Sequence, residues 1–130
     1  MTRKTPGKDA RKTPADTWEG IDLPQNLKDL KAGKAWTEVD SAAKVLFQGS
    51  GMRVVLVALH GGKVIAAQQA PCAMSVLVLE GRLRFETEGG STSHQRGQLL
   101  TVEPGIRHEI EALADAAFLV TLAQDRPYPS

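Results

Sequence analysis

The sequence predicts an all-β domain, a sandwich or barrel of short strands preceded by a short helical segment. Three observations carry this expectation. From residue 44 onward the apolar residues recur at period two. Closely spaced turn signals break that pattern into short pieces. No alternation of strand and helix patterns competes with it, as a parallel sheet would require. At 130 residues there is room for one domain with one core.

The elements follow in order. Residues 1–17 (MTRKTPGKDARKTPADT) are polar, contain Pro6, Gly7 and Pro14, and show no apolar period. Such a segment buries too little surface to offset its ordering entropy, so it reads as a disordered basic tail, with the folded domain over 18–130. Leu23, Leu27 and Leu30 then follow i, i+4, i+7 spacing on one helical face. Asp22 is placed to cap this helix, Pro24 to enter it and Gly33 to end it. It reads as a short helix or turn pair packed across the outside of the β structure. Trp36 reads as a core or dimer-interface anchor. Candidate strands are 44–48, 52–59, 63–69, 74–80, 82–88, 98–103, 107–113 and 116–122. The punctuation between them includes Gly49-Ser50-Gly51, His60-Gly61-Gly62, Ala70-Pro71-Cys72, Gly81, Glu88-Gly89-Gly90-Ser91 and Ala114-Asp115. The run 54–59 is apolar on both faces, so it is expected to be central or to be covered by a partner subunit.

Composition narrows the function classes. An aromatic share of 5% leaves few rings for stacking bases or sugars. Net charge is +1, yet the first twelve residues carry +4 and the remainder −3. Nucleic acid is therefore expected only through the basic tail, which otherwise reads as a solubilising extension. The single cysteine, Cys72, excludes an internal disulfide and fits a reducing compartment. No secretory h-region and no run of roughly 20 apolar residues is present, so the expectation is a soluble, cytoplasmic protein without a membrane partner.

The most informative stretch is 97–108, GQLLTVEPGIRH: a strand, a Pro104-Gly105 turn, and a second strand opening on His108. Its pattern G-x5-E-P-G-x2-H resembles the second cupin motif, usually G-x5-P-x-G-x2-H-x3-N. Glu103 stands at the usual Pro and Ala112 at the Asn. Upstream, 68–81 (QQAPCAMSVLVLEG) resembles the first cupin motif, usually G-x5-H-x-H-x3,4-E-x6-G. With Gly81 as its last glycine and Gly62 as its first, Gln68 and Ala70 stand at the two His positions and Met74 at the Glu. The resemblance spans roughly residues 52–124. It implies a double-stranded β-helix, or jelly-roll barrel, and a homodimer.

Strand residues two apart share a face, so the H-x-H of such a motif aims two imidazoles at a divalent metal. Here only His108 keeps an imidazole. An amide and a thioether complete no transition-metal set, so no cofactor is expected, a weak divalent metal at His108 being the alternative. Gln68, Ala70, Met74 and His108 are instead expected to line a small-molecule pocket. For His108 the plainer role is a mouth histidine hydrogen-bonded to Gln68 or water. Cys72 is a candidate reactive thiol if it meets His108 across the mouth, and otherwise a small space-filling thiol. His60, His94, Glu80 and Glu103 read as turn or loop residues facing solvent, and Ser91-Thr92-Ser93 as part of a hairpin loop. Three functions stay open: a small-molecule-binding cupin-like barrel without tight metal, a metal-dependent enzyme of oxygenase or isomerase type using His108, and a dimeric regulatory protein with a basic tail.

Overall fold

The structure, a computed structural model, describes residues 18–123. The expected basic tail, 1–17, and the last residues of the expected domain, 124–130, lie outside the described residues. Two helices lead into nine strands: α1 (Leu23–Lys31), α2 (Lys34–Glu38), β1 (Ser41–Gln48), β2 (Met52–Leu59), β3 (Val64–Gln69), β4 (Met74–Glu80), β5 (Arg82–Thr87), β6 (Gly90–Gln95), β7 (Leu99–Val102), β8 (Arg107–Ala112) and β9 (Ala116–Ala123). They pair antiparallel into a five-stranded sheet, β1-β2-β9-β4-β7, and a four-stranded sheet, β3-β8-β5-β6. This is the all-β jelly roll the sequence predicts.

The core lies between the sheets. Leu59, Val76, Val78 and Phe118 from the first meet Leu83, Phe85, Ile110 and Ala112 from the second. Each of these side chains larger than Ala112 contributes about 1.5–3 kcal/mol by leaving water. Alternation delivers them: β5 buries Leu83 and Phe85 while Arg82, Arg84 and Glu86 stay exposed. Turns close where glycine permits. Gly81 joins β4 to β5 at φ +73°, and a Cβ there would stand 2.1 Å from the Asp115 carbonyl oxygen.

Two expectations change and a third is refined. Residues 90–95 form an edge strand rather than a loop, paired to β5 from Arg82↔Gln95 to Thr87↔Gly90. The sequence GSTSHQ hides it, because an edge strand needs little apolar alternation when backbone pairing supplies the order. The helical segment resolves into two helices, Asp22 capping α1 through a bond from the Gln25 N–H and Gly33 starting α2 rather than only ending α1. The two-faced run forms β2, which is central in its sheet between β1 and β9 as expected, and the chain's own α1 covers its outer face: Leu27 and Leu30 pack there with Leu56 and Ala117. The apolar character of 54–59 thus has an intramolecular explanation and no longer argues for a partner subunit.

Candidate functional site

The turn before β8 is built to fix its first inward residue. Gly105 takes φ +80° and donates its N–H to the Ala70 carbonyl at 2.8 Å. Gln69 Nε2 donates to the Gly105 carbonyl at 2.7 Å. These two bonds tie the 104–106 turn to the end of β3, and Gln68 then pairs directly with His108. His108 is 3% exposed and stacks on Phe85, ring centroids 5.2 Å apart at 20°. Its Nδ1 lies 2.9 Å from the Ile106 carbonyl, an oxygen that can only accept, so Nδ1 carries the proton. In the neutral ring, Nε2 is left as an acceptor.

A cavity of about 680 Å³ opens between the sheets at this end of the barrel. The five candidate residues Gln68, Ala70, Cys72, Met74 and His108 all line it. Most of the remaining wall is aliphatic or aromatic, including Val55 and Val57 of β2 and Phe118, Val120 and Leu122 of β9. Ala35 of α2 and Ala43 of β1 form part of its rim. The volume falls within the roughly 300–1,000 Å³ range of small-molecule sites. His108 bonds to Ile106 and not to Gln68, and no hydrogen bond joins Cys72 to the imidazole.

The donor set does not fit a transition metal. Gln68, Ala70 and Met74 occupy three of the four usual ligand positions, and among the described residues no group of three or more His, Cys, Asp or Glu could hold an ion. The other histidines are engaged elsewhere. His60 is half-buried rather than a free turn residue. It stacks on Trp36 at 3.5 Å, its Nε2 lies 2.8 Å from the Trp36 carbonyl, and its Nδ1 lies 3.6 Å from Asp115. Trp36 is therefore a partly buried clamp residue. His94 belongs to β6, where its Nε2 lies 2.9 Å from Thr92 Oγ1. Glu80 ends β4 in an ion pair with Lys31, and Glu103 is exposed at its turn.

Structural comparison identifies the fold of this architecture. A cupin superfamily protein from Desulfitobacterium hafniense superposes with a TM-score of 0.65 at 16% identity, over 68% of this chain and 81% of that one. This chain folds as a small cupin. A cupin-2 domain protein from Shewanella frigidimarina matches at TM-score 0.66 and 14% identity, over 80% of this chain and 94% of the other. KdgF from Halomonas matches at 0.62 and 20%, over 68% and 83%. At these identities the likeness concerns the cupin fold alone. No protein-family model and no curated protein matches the sequence. No helix among the described residues is long and apolar enough to cross a membrane.

One residue that lines this cavity escaped the sequence reading. Gln69 gave no signal, since its neighbour Gln68 held the motif position.

Proposed function

We propose that this cupin barrel binds a small molecule in the cavity around His108, without a tightly held metal. The observation that carries the reading is the common lining: the positions corresponding to the motif's ligands surround one mostly apolar space, and only one of them is an imidazole. A stacked, hydrogen-bonded His108 with a free Nε2 acceptor supplies orientation, Gln68 supplies an amide at the mouth, and Ala70 leaves room. Apolar walls with a few placed polar groups are the usual form of such sites. The proposal includes a soluble, cytoplasmic protein and a homodimer. Support for the dimer is that β1 ends its sheet among the described residues, with Val39 and Val45 exposed beside it.

Elemental analysis of the protein purified without chelator or affinity-tag metal tests this reading, with His108→Ala as control. Metal far below stoichiometry and unchanged by the substitution is expected. Near-stoichiometric Fe, Mn, Ni or Zn that falls in the variant would overturn it in favour of a metal-dependent enzyme.

A further inference from the structure

We propose that the cavity takes an uncharged, largely apolar molecule whose hydroxyl donates a hydrogen bond to His108 Nε2. The inference rests on the cavity being a ligand site, and it names the chemical class that site selects.

The acceptor is fixed and reachable. His108 shares the inner face of β8 with Ile110, and both are buried and line the cavity. The Ile106 carbonyl holds the Nδ1 proton at 2.9 Å, and the stack on Phe85 sets the plane of the ring. Nε2 therefore keeps its lone pair, and no side chain or backbone donor meets it. Among the described residues, the buried side-chain atom that is both unpaired and sealed from water is Arg53 Nε; His108 Nε2 is unpaired but not sealed. Since the ring lies on the inner face, the open path to Nε2 is the cavity.

The walls supply the selection. None of the described residues that line the cavity is Asp, Glu, Lys or Arg. A carboxylate or phosphate would leave water for a wall with no cation to meet it, and its oxygens would face the Nε2 lone pair. An ammonium could donate to Nε2 but would find no carboxylate to balance its charge. A neutral donor meets neither cost. Ser41, Gln68 and Gln69 also line the space, but none of them is buried, and the Gln69 amide is spent on the Gly105 carbonyl. His108 is the one buried polar or charged residue among the described residues. A hydroxyl brings little polar surface beyond the donor that Nε2 needs, whereas an amide brings a carbonyl that needs a donor of its own. Val55, Val57, Phe118, Val120 and Leu122 dictate a hydrocarbon body for the rest.

Titration calorimetry on the full chain at neutral pH with 4-propylphenol, its methyl ether 4-propylanisole, 4-propylbenzoate and 4-propylbenzylamine tests the assignment. The ether is more hydrophobic than the phenol, so transfer from water alone would favour it. The phenol is nevertheless expected to bind at least about fivefold tighter than the ether, the worth of one hydrogen bond to an otherwise unmet acceptor. It should bind at least about tenfold tighter than either charged probe. His108→Phe, which keeps a ring against Phe85 but has no acceptor, should reverse the order of phenol and ether. Because that variant also strands the Ile106 carbonyl, nitrogen NMR of the wild-type imidazole gives an independent reading. The Nε2 resonance should move upfield with the phenol and not with the ether. Ether binding as tight as the phenol's, an unmoved Nε2 resonance, or a phenol preference that survives His108→Phe would overturn the hydroxyl assignment while leaving the cavity reading intact. Benzoate or benzylamine binding as tightly as the phenol would overturn the uncharged class. Binding of none of the four probes would overturn the cavity reading and this inference with it.

Discussion

Gln68 and His108 stand directly opposite each other on β3 and β8, and a β-bulge puts them there. Between Ile65↔Ile110 and Gln68↔His108, β3 advances three residues while β8 advances two. Strict alternation from Ile65 would place residue 67 opposite His108; the extra residue substitutes Gln68. The cavity thereby gains an amide at the one point where it faces the imidazole.

Because packing and the Ile106 carbonyl hold His108, chelation should not loosen it. Thermal unfolding with and without excess EDTA is expected to give the same midpoint. His108→Ala should lower stability by about 2–4 kcal/mol in denaturant titration, through the vacated ring against Phe85 and the orphaned carbonyl. An EDTA-dependent midpoint would show that a metal contributes to the fold.

The two motif glycines should differ sharply on substitution. Gly81→Ala meets both a positive φ and a Cβ 2.1 Å from Asp115 O and 2.8 Å from Ala116 Cα, so the β4–β5 turn must shift. A loss above about 3 kcal/mol is expected. Gly105→Ala carries the positive φ alone, with nothing within 4 Å of the new Cβ, and should cost about 1–2 kcal/mol. Equal losses in denaturant titrations of the two variants would show that conformation, not contact, governs the β4–β5 turn.

Much of this fold was legible because period two and glycine punctuation are local. Leu83 and Phe85 alternate with charged residues, and Gly81 and Gly105 sit where positive φ is needed. The candidate residues came from a motif resemblance rather than from periodicity: its spacing singled out Gln68, Ala70, Met74 and His108, and all four line one cavity. What stayed hidden was non-local. The pairing that makes 90–95 a strand comes from β5, the spot on β2 that the expected outer helix covers lies 29 positions downstream of Leu27 at Leu56, and the clamp on Trp36 comes from His60. None of these partners is signalled by the residues it acts on.

That cover has a measurable worth. Leu27 is the one buried residue of α1, and Leu56 beneath it is 0% exposed. Leu27→Ala is expected to destabilise the whole domain by about 2–4 kcal/mol, and Lys28→Ala on the exposed face by less than about 0.5. If deletion of the Leu27 side chain left the denaturation midpoint unchanged, β2 would have to be covered by something other than α1, and the subunit interface would return as its explanation.

The helix α2 is held more weakly, and its attachment is concentrated in one side chain. None of its five residues is buried, yet Ala35 forms part of the cavity rim. His60 joins it to the barrel by stacking on Trp36 and by the bond to the Trp36 carbonyl, while Asp115, which accepts from the Gly61 N–H, backs the ring from the other side. Removing the imidazole in His60→Ala takes away both contacts and leaves global packing between the sheets untouched. Amide hydrogen exchange should then accelerate about five- to thirtyfold in residues 34–38, equivalent to about 1–2 kcal/mol of local opening. The core strands β4 and β9 should exchange as before. Uniform acceleration across β4 and β9 would instead make His60 part of the global core, and α2 could not then open the rim of the cavity independently of the barrel.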